Sequence, residues 1–417
     1  MPENVSEALV SRLVARTSLS LWSYANPLNS EGKELCDVLV VCDPHVILIS
    51  VKEVLSRSSS EPELGWERWS RRAIEASAKQ LYGAERELHR LYRVRLSNGG
   101  FGLPIPPANT RRVHRVAVAF GSDGRIPFTQ GDLGKGFVHV FDETALDTIL
   151  AELDTVTDLL SYLEAKEALT ARDVMPIVVG EENLLAVYLS GNRSFPTNCS
   201  RLIVDDRLWD ELTRRAEWKA RKAADRESYT WDGTVEWVTR DIRHQSASDP
   251  DLLAQQERAL RVLAKECRFA RRGLGRALVE FLDGARHGRL RARTTTSPSG
   301  VAYVFLACEP GFPRAQRAAE LAARCFVVRG ITPGVSTVAG IATEIPGLSD
   351  RSSVDLALLQ KDEWTQDDEA RCQALRESGL FRAPRRTRVR EDEYPGVSEP
   401  TRVAVATGDE SEPEERP

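Results

Sequence analysis

The chain has 417 residues, 41% hydrophobic and 29% charged, with a net charge of −5; this is the balance of a folded globular protein and excludes a fibrous or wholly disordered one. Its length allows two or three domains. No apolar run reaches the roughly 18 residues of a membrane helix, and the start MPENVSEALV lacks the basic and apolar regions of a secretory signal, so no membrane partner is predicted and the cytoplasm is the expected compartment.

Residues 5 to 16 place Val5, Leu9, Val10, Leu13 and Val14 on one arc, predicting a helix with one buried face and Glu7 at its border. The stretch SLSLWSYANPLNSEGKE is turn-rich. CDVLVVC and HVILISVKEV, separated by Asp43-Pro44, are then predicted as two strands with a tight connection. In the second, Val46, Leu48, Ser50 and Lys52 share one face and Ile47, Ile49 and Val51 the other, the pattern of a central strand buried on both sides. A Ser/Glu/Pro linker, SRSSSEPEL, leads to a long basic amphipathic helix in which Ile74, Ala78, Leu81, Ala84, Leu88 and Leu91 repeat at helical spacing. HRVAVAFG reads as a strand ending in the turn Ser122-Asp123-Gly124, FVHVF as another strand, and ETALDTILAELDTVTDLLSYLEAKEAL as one helix. From about residue 250 a second α/β unit is predicted: a basic helix, the strand VAYVFLAC, the helix PRAQRAAELAARCFVV, and the strands STVAGIATEI and SVDLALLQ. Beyond about residue 383 a Pro/Arg/Glu mixture with few large apolar groups predicts a disordered tail. The domain blocks are 1–130, 131–245, 246–365 and a partly disordered 366–417.

Two basic islands stand out, residues 66–115 and 256–294, each with eleven Lys/Arg against four Asp/Glu. The first could simply be a solvated face, and the second would suit phosphate contacts or, equally, a partner interface. Trp22, Trp66 and Trp69 are read as core or interface residues before base-stacking ones. The GDLGKG stretch lacks P-loop spacing and reads as a turn. No histidines stand at HxxxH spacing or near a cysteine at ligand spacing, and no GxSxG serine is present, which argues against zinc enzymes and serine hydrolases. Seven scattered cysteines without CxxC spacing are read as reduced, mostly buried thiols.

Cutting a phosphodiester requires acidic oxygens that hold a hard cation and a fixed positive group near the reacting phosphate. Asp37 opens one predicted strand and Ser50-Val51-Lys52 lies on the next, so neighbouring strands can bring Asp37 beside Lys52. The string GKELCDVLVVCDPHVILISVKE resembles the core of the restriction-endonuclease-like nucleases, written PD-(D/E)XK, over residues 5 to 115. It is also similar to bacterial proteins with a GKELCD...SVKE core. The resemblance implies an α/β fold with an N-terminal mixed sheet flanked by helices. It implies Glu7 and Asp37 as ligands of Mg2+ (or Mn2+), Lys52 and Ser50 in the catalytic set, and Arg72 and Gln80 on a helix facing nucleic acid, DNA favoured over RNA. It further implies hydrolysis of phosphodiesters, in restriction or defence against foreign DNA. The alternative is a catalytically silent member that binds nucleic acid or a protein, with homo-oligomers also open. Ser50 is a departure, because the family has an acid two residues before the lysine. Glu34 and Glu53 are the nearby acids, and strand parity excludes both as direct replacements unless a bulge or strand end reorients them.

Overall fold

The computed structural model describes residues 5–54, 62–122, 130–171, 175–197, 201–245, 249–345, 353–381, 386–389, 391–395 and 402–405. The fold is α/β, and the chain divides into two compact units: Met1–Thr213 with Trp231–Arg271, and Arg214–Thr230 with Arg272–Pro417. The blocks anticipated at 1–130 and 131–245 therefore divide otherwise, because residues 137–141 extend the N-terminal sheet rather than begin a new one.

The first unit is built outward from one hairpin. Helix α1 (Val5–Trp22) and the short strand β1 (Ser23–Ala25) lead to β2 (Val38–Cys42) and β3 (His45–Glu53). The apolar, β-branched residues of β2 and β3 favour extended backbone. Asp43-Pro44 turns the chain, and the two strands pair antiparallel from Cys42 opposite His45 to Val38 opposite Ile49. Helix α2 (Pro62–Ser70) runs through one π-helical turn, Arg71–Glu75, into α3 (Ala76–Leu88). Ile74, Ala78, Leu81, Ala84 and Leu88 are buried, as their spacing predicts, whereas Leu91, the last of that series, lies beyond the end of α3 and is half-buried. The chain passes through the small hairpin β4 (Arg93–Arg95) and β5 (Phe101–Pro104), and returns as β6 (Arg112–Phe120). β6 lies parallel to β3, with Ile47 opposite His114 and Lys52 opposite Ala119. After β7 (Gly131–Asp132), β8 (Phe137–Phe141) joins β6 in parallel, Val116 opposite His139. The sheet order is β1-β2-β3-β6-β8-β7.

Because directly opposed residues share a sheet face, this register sorts the chemistry onto two sides. Ser50 and Lys52 face α3, where Ser50 meets Ser77. His45, His114 and His139 face the other side, covered by α5 (Val156–Thr170), which follows α4 (Glu143–Glu152). β3 lies between β2 and β6 and is buried on both faces, as expected of a central strand.

Four local expectations are corrected. Helix α1 runs past residue 16 to Trp22 across a break at Leu19, with φ 61° and ψ 164°. Its buried stripe is Ser6, Val10, Val14 and Thr17, whereas Val5 is 81% exposed; Val5 lies about 140° round the helix from Val10 and cannot share a stripe with it. The helix predicted across ETALDTILAELDTVTDLLSYLEAKEAL is two helices, because the Thr155 hydroxyl accepts from the Asp158 amide and restarts the chain as a new N-terminus. Residues 55–61 of the expected linker lie outside the described residues, and Pro62 already opens α2, where its missing N–H costs nothing.

In the second unit four strands run in the order Ala292–Thr296, Ala302–Cys308, Thr337–Glu344, Val354–Gln360. The middle pair is parallel and spanned by helix Arg314–Ile331, with a core of Val304, Leu306, Leu321, Cys325, Val328 and Val338. The sequence reading missed strand 292–296 and helix Gln366–Glu377, whose start is set by a capping box between Thr365 and Asp368. Residue 366 therefore does not begin the tail. Arg386–Val389 and Arg402–Val405 pair antiparallel, while residues 382–385, 390, 396–401 and 406–417 of the segment expected to be disordered lie outside the described residues. Turn residues 123–124 and Cys199 also lie outside them; the other six cysteines are free thiols. No described helix is long and apolar enough to cross a membrane.

Candidate functional site

Asp37 stands one residue before β2, opposite Ser50 when the hairpin register is continued. It is 4% exposed, and its Oδ2 accepts the Val51 amide at 2.5 Å. That bond fixes the carboxylate at the end of β3 where Lys52 emerges half-buried. Ser50 is fully buried, and its hydroxyl donates to Gln80 Oε1 at 3.2 Å. Glu7 sits half-exposed in the first turn of α1. That turn is pinned to the end of β3 by its neighbour Ser6, whose hydroxyl donates to Glu53 at 2.5 Å.

Glu34 ties these groups together. It lies in an irregular segment, bridged to Leu28 and followed by Leu35, whose amide donates to the Pro27 carbonyl at 2.8 Å. Burial raises its pKa, and the Asp37 carboxyl within hydrogen-bonding reach raises it further, as do the charges of Asp37 and Glu7; Lys52 pulls it down. Groups from α1, the loop before β2 and β3 thus all act on Glu34. The expectation that Glu34 has the wrong parity is corrected: no ladder runs between Glu34 and Val38, so the alternation of a strand does not apply and the loop turns its carboxyl to Asp37. Glu53 keeps the parity expected of it and stays with Ser6.

Two carboxyls within hydrogen-bonding reach favour a shared proton or a cation between them. Mg2+ needs only one or two carboxylates, since waters and substrate phosphate complete its shell. The Glu34–Asp37 pair with Glu7 nearby therefore fits a hard divalent ion. Glu34 is the residue that sequence reasoning set aside, and its signal was its place three residues before Asp37 in a non-repetitive segment.

The nucleic-acid candidates separate. Gln80 is brought to Ser50, whereas Arg72 is exposed on the π-helical turn, as are Arg71 before it and Lys79 on α3, and none of the three pairs with a described acid. The second basic island is largely neutralised. Arg261 pairs with Asp43, Arg268 with Asp154 and Asp232, and Arg271 with Asp232; Arg272 pairs with Asp225 and Arg276 with Glu227. A guanidinium buried against a carboxylate has little left for phosphate, so that segment reads as internal pairing. Trp22 and Trp69 are buried with their indole N–H groups bonded to Glu257 and Val54, and Trp66 stacks on Trp69. In GDLGKG, Asp132 accepts from the Gly134 and Gly136 amides, as a turn requires.

On the opposite face the structure assembles what sequence spacing hid. His114 Nδ1 lies 2.9 Å from Glu167 Oε1, His139 Nε2 3.1 Å from the same oxygen, and His114 Nε2 3.1 Å from His45 Nδ1. Burial lowers the His139 pKa to about 3 and that of His45 to about 4. Burial would raise Glu167, but hydrogen bonds from both imidazoles outweigh it and bring its pKa to about 2. Among the described residues, the donor triads that close to within 4.8 Å are His114–His139–Glu167 and His45–His114–Glu164; the acids around Lys52 form a looser set. No family model matches the chain, and no curated protein or solved structure is similar to it.

Proposed function

We propose that the first unit is a metal-dependent nuclease hydrolysing nucleic-acid phosphodiesters, with its site at Asp37, Glu34, Glu7 and Lys52. The observation that carries this reading is that Glu34 stands within hydrogen-bonding reach of the Asp37 carboxyl and feels the charges of Glu7 and Lys52, with Asp37 fixed to the end of β3 by the Val51 amide. Asp37 and Glu34, with Glu7 beside them, would hold Mg2+ or Mn2+, which supplies positive charge against the phosphate and acidifies water. Lys52 projects from the same strand end and offsets charge that develops on the phosphate. The Val51 amide keeps Asp37 from rotating away. Gln80 accepts from Ser50 through its oxygen, which leaves its NH2 group to donate to a backbone phosphate, while Arg71, Arg72 and Lys79 give the same helix a cationic outer face. The likeness of GKELCD...SVKE to the PD-(D/E)XK nucleases supports the same assignment, with Glu34 in place of the acid that Ser50 lacks.

A second reading is favoured by Ser50 itself. It is buried and saturated by Ser77 and Gln80, as in a nuclease fold that binds nucleic acid or a protein without cutting. Incubating the full chain with plasmid, linear DNA and RNA, with Mg2+, Mn2+ or EDTA, decides between them. Metal-dependent cutting that Asp37→Asn and Lys52→Ala abolish supports hydrolysis; salt-sensitive binding without cutting supports the silent reading.

A further inference from the structure

We propose that His114, His139 and Glu167 form a second metal site, for a first-row transition ion with Zn2+ foremost, on the sheet face opposite Asp37 and Lys52. This inference does not depend on the nuclease reading. Two imidazoles and one carboxylate are the donor set that suits zinc and its neighbours rather than magnesium. All three ligand atoms lie within 4.8 Å of one another, and two of their separations are 2.9 and 3.1 Å. A tetrahedral ion with bonds of about 2.0–2.1 Å sets its donors roughly 3.3 Å apart, so loading asks the side chains to part by a few tenths of an ångström.

Charge points the same way. Glu164 pairs with Arg112, and the neighbouring Lys166 is held by Glu181. Among the described residues Glu167 has no Lys or Arg partner, only two buried imidazoles, so its negative charge is left for a cation. The proton positions allow it too. For both rings to ligate, His114 carries its proton on Nε2, where His45 Nδ1 accepts it at 3.1 Å, the kind of outer partner that orients a ligating histidine. His139 must carry its proton on Nδ1, a buried atom with no hydrogen-bond partner, so the Nε2 hydrogen bond to Glu167 is exchanged for the bond to the ion, at the cost of one buried N–H left unpaired. Glu167 is 32% exposed, which gives an ion a way in. The ion would cross-link β6, β8 and α5.

The full chain, purified without a histidine tag and stripped with chelator, is titrated with ZnCl2 by calorimetry and with CoCl2 by visible absorption. The expected result is one tight equivalent and a tetrahedral cobalt spectrum. Wild type and Asp37→Asn should agree, while Glu167→Gln and His139→Phe bind at least ~100-fold more weakly with unchanged far-UV spectra. A hundredfold excess of Zn2+ over its Kd should raise Tm by roughly 5–10 °C. Absence of stoichiometric zinc, wild-type affinity in folded Glu167→Gln, or loss of zinc in Asp37→Asn would each overturn the proposal.

Discussion

The two faces of the N-terminal sheet gather ionisable groups in opposite ways. At the end of β3, burial pushes Glu34 above its ordinary value, and the Asp37 carboxyl and the charges of Asp37 and Glu7 push the same way against the pull of Lys52. On the α5 face, each imidazole is matched to a carboxylate oxygen or to another imidazole, and Glu167 is pulled down to about 2. The first arrangement presses like charges on Glu34; the second engages its imidazoles through hydrogen bonds to Glu167 and accepts a cation by exchanging them.

The largest effect expected of this contrast is on catalysis. Asp37→Asn keeps an oxygen for the Val51 amide, and Lys52→Ala leaves the hairpin core intact, so both should fold. Loss of a single electrostatic group at a reacting centre costs on the order of 10²–10³ in rate, and single-turnover cleavage of a labelled duplex with Mg2+ should show that loss in both variants. Glu167→Ala should leave the rate within about twofold, the faces being separated by the sheet. Equal losses from both faces would end the distinction.

The next effect is on stability. Glu167→Ala leaves the buried His114 and His139 nitrogens without their acceptor, which costs about 1–3 kcal/mol, read as a lower urea midpoint at pH 7.5 in the presence of chelator. An unchanged midpoint would mean that the histidine cluster contributes nothing to the fold.

How much of each face was legible beforehand follows from chain separation. Asp37, Ser50 and Lys52 belong to one hairpin and its approach, where a single turn brings the neighbours together, and Asp37 Oδ2 accepts the amide of Val51, between Ser50 and Lys52. Glu34 was misjudged because parity was applied to a residue outside any ladder. The histidines escaped notice altogether. They stand at one position in each of three strands, and their glutamates lie on a helix more than a hundred residues after His45. Spacing rules for metal ligands assume neighbours on one element; here a parallel β3-β6-β8 ladder makes the neighbours, and only the strand order reveals them. The basic island at 256–294 was misread for a related reason, since sequence counts charges but does not show that Asp154 and Asp232 lie against Arg268 and Arg271.

Acid should separate the faces further. His45 and His139 have folded pKa values depressed to about 4 and about 3, against about 6.5 in an unfolded chain. The unfolded state therefore takes up protons first, and the stability these groups contribute is full above about pH 6.5 and lost as pH falls toward their folded values. Glu167 adds to the loss between the ordinary glutamate range and about 2. Urea midpoints should decline steadily from pH 7 to pH 4, and His139→Phe, whose ring lies between those of Phe137 and Phe141, should flatten the decline. A profile that does not respond to the substitution would place the acid sensitivity elsewhere.

The smallest effect has the opposite sign. Glu34 has a raised pKa, so its proton-linked contribution is present at low pH and lost as pH rises through its folded value. Glu34→Gln removes a repelled charge and keeps the volume and a hydrogen-bonding amide. Without divalent metal it should stabilise the protein at pH 7.5 by a few tenths of a kcal/mol, about the size of an exposed charge contact. With Mg2+ the order should reverse, because wild type gains a ligand that the variant lacks. Midpoints measured with EDTA and with Mg2+ supply all four values. A variant less stable than wild type in EDTA would show that the acids around Lys52 are held by favourable contacts, and the contrast between the two faces would fail at its root.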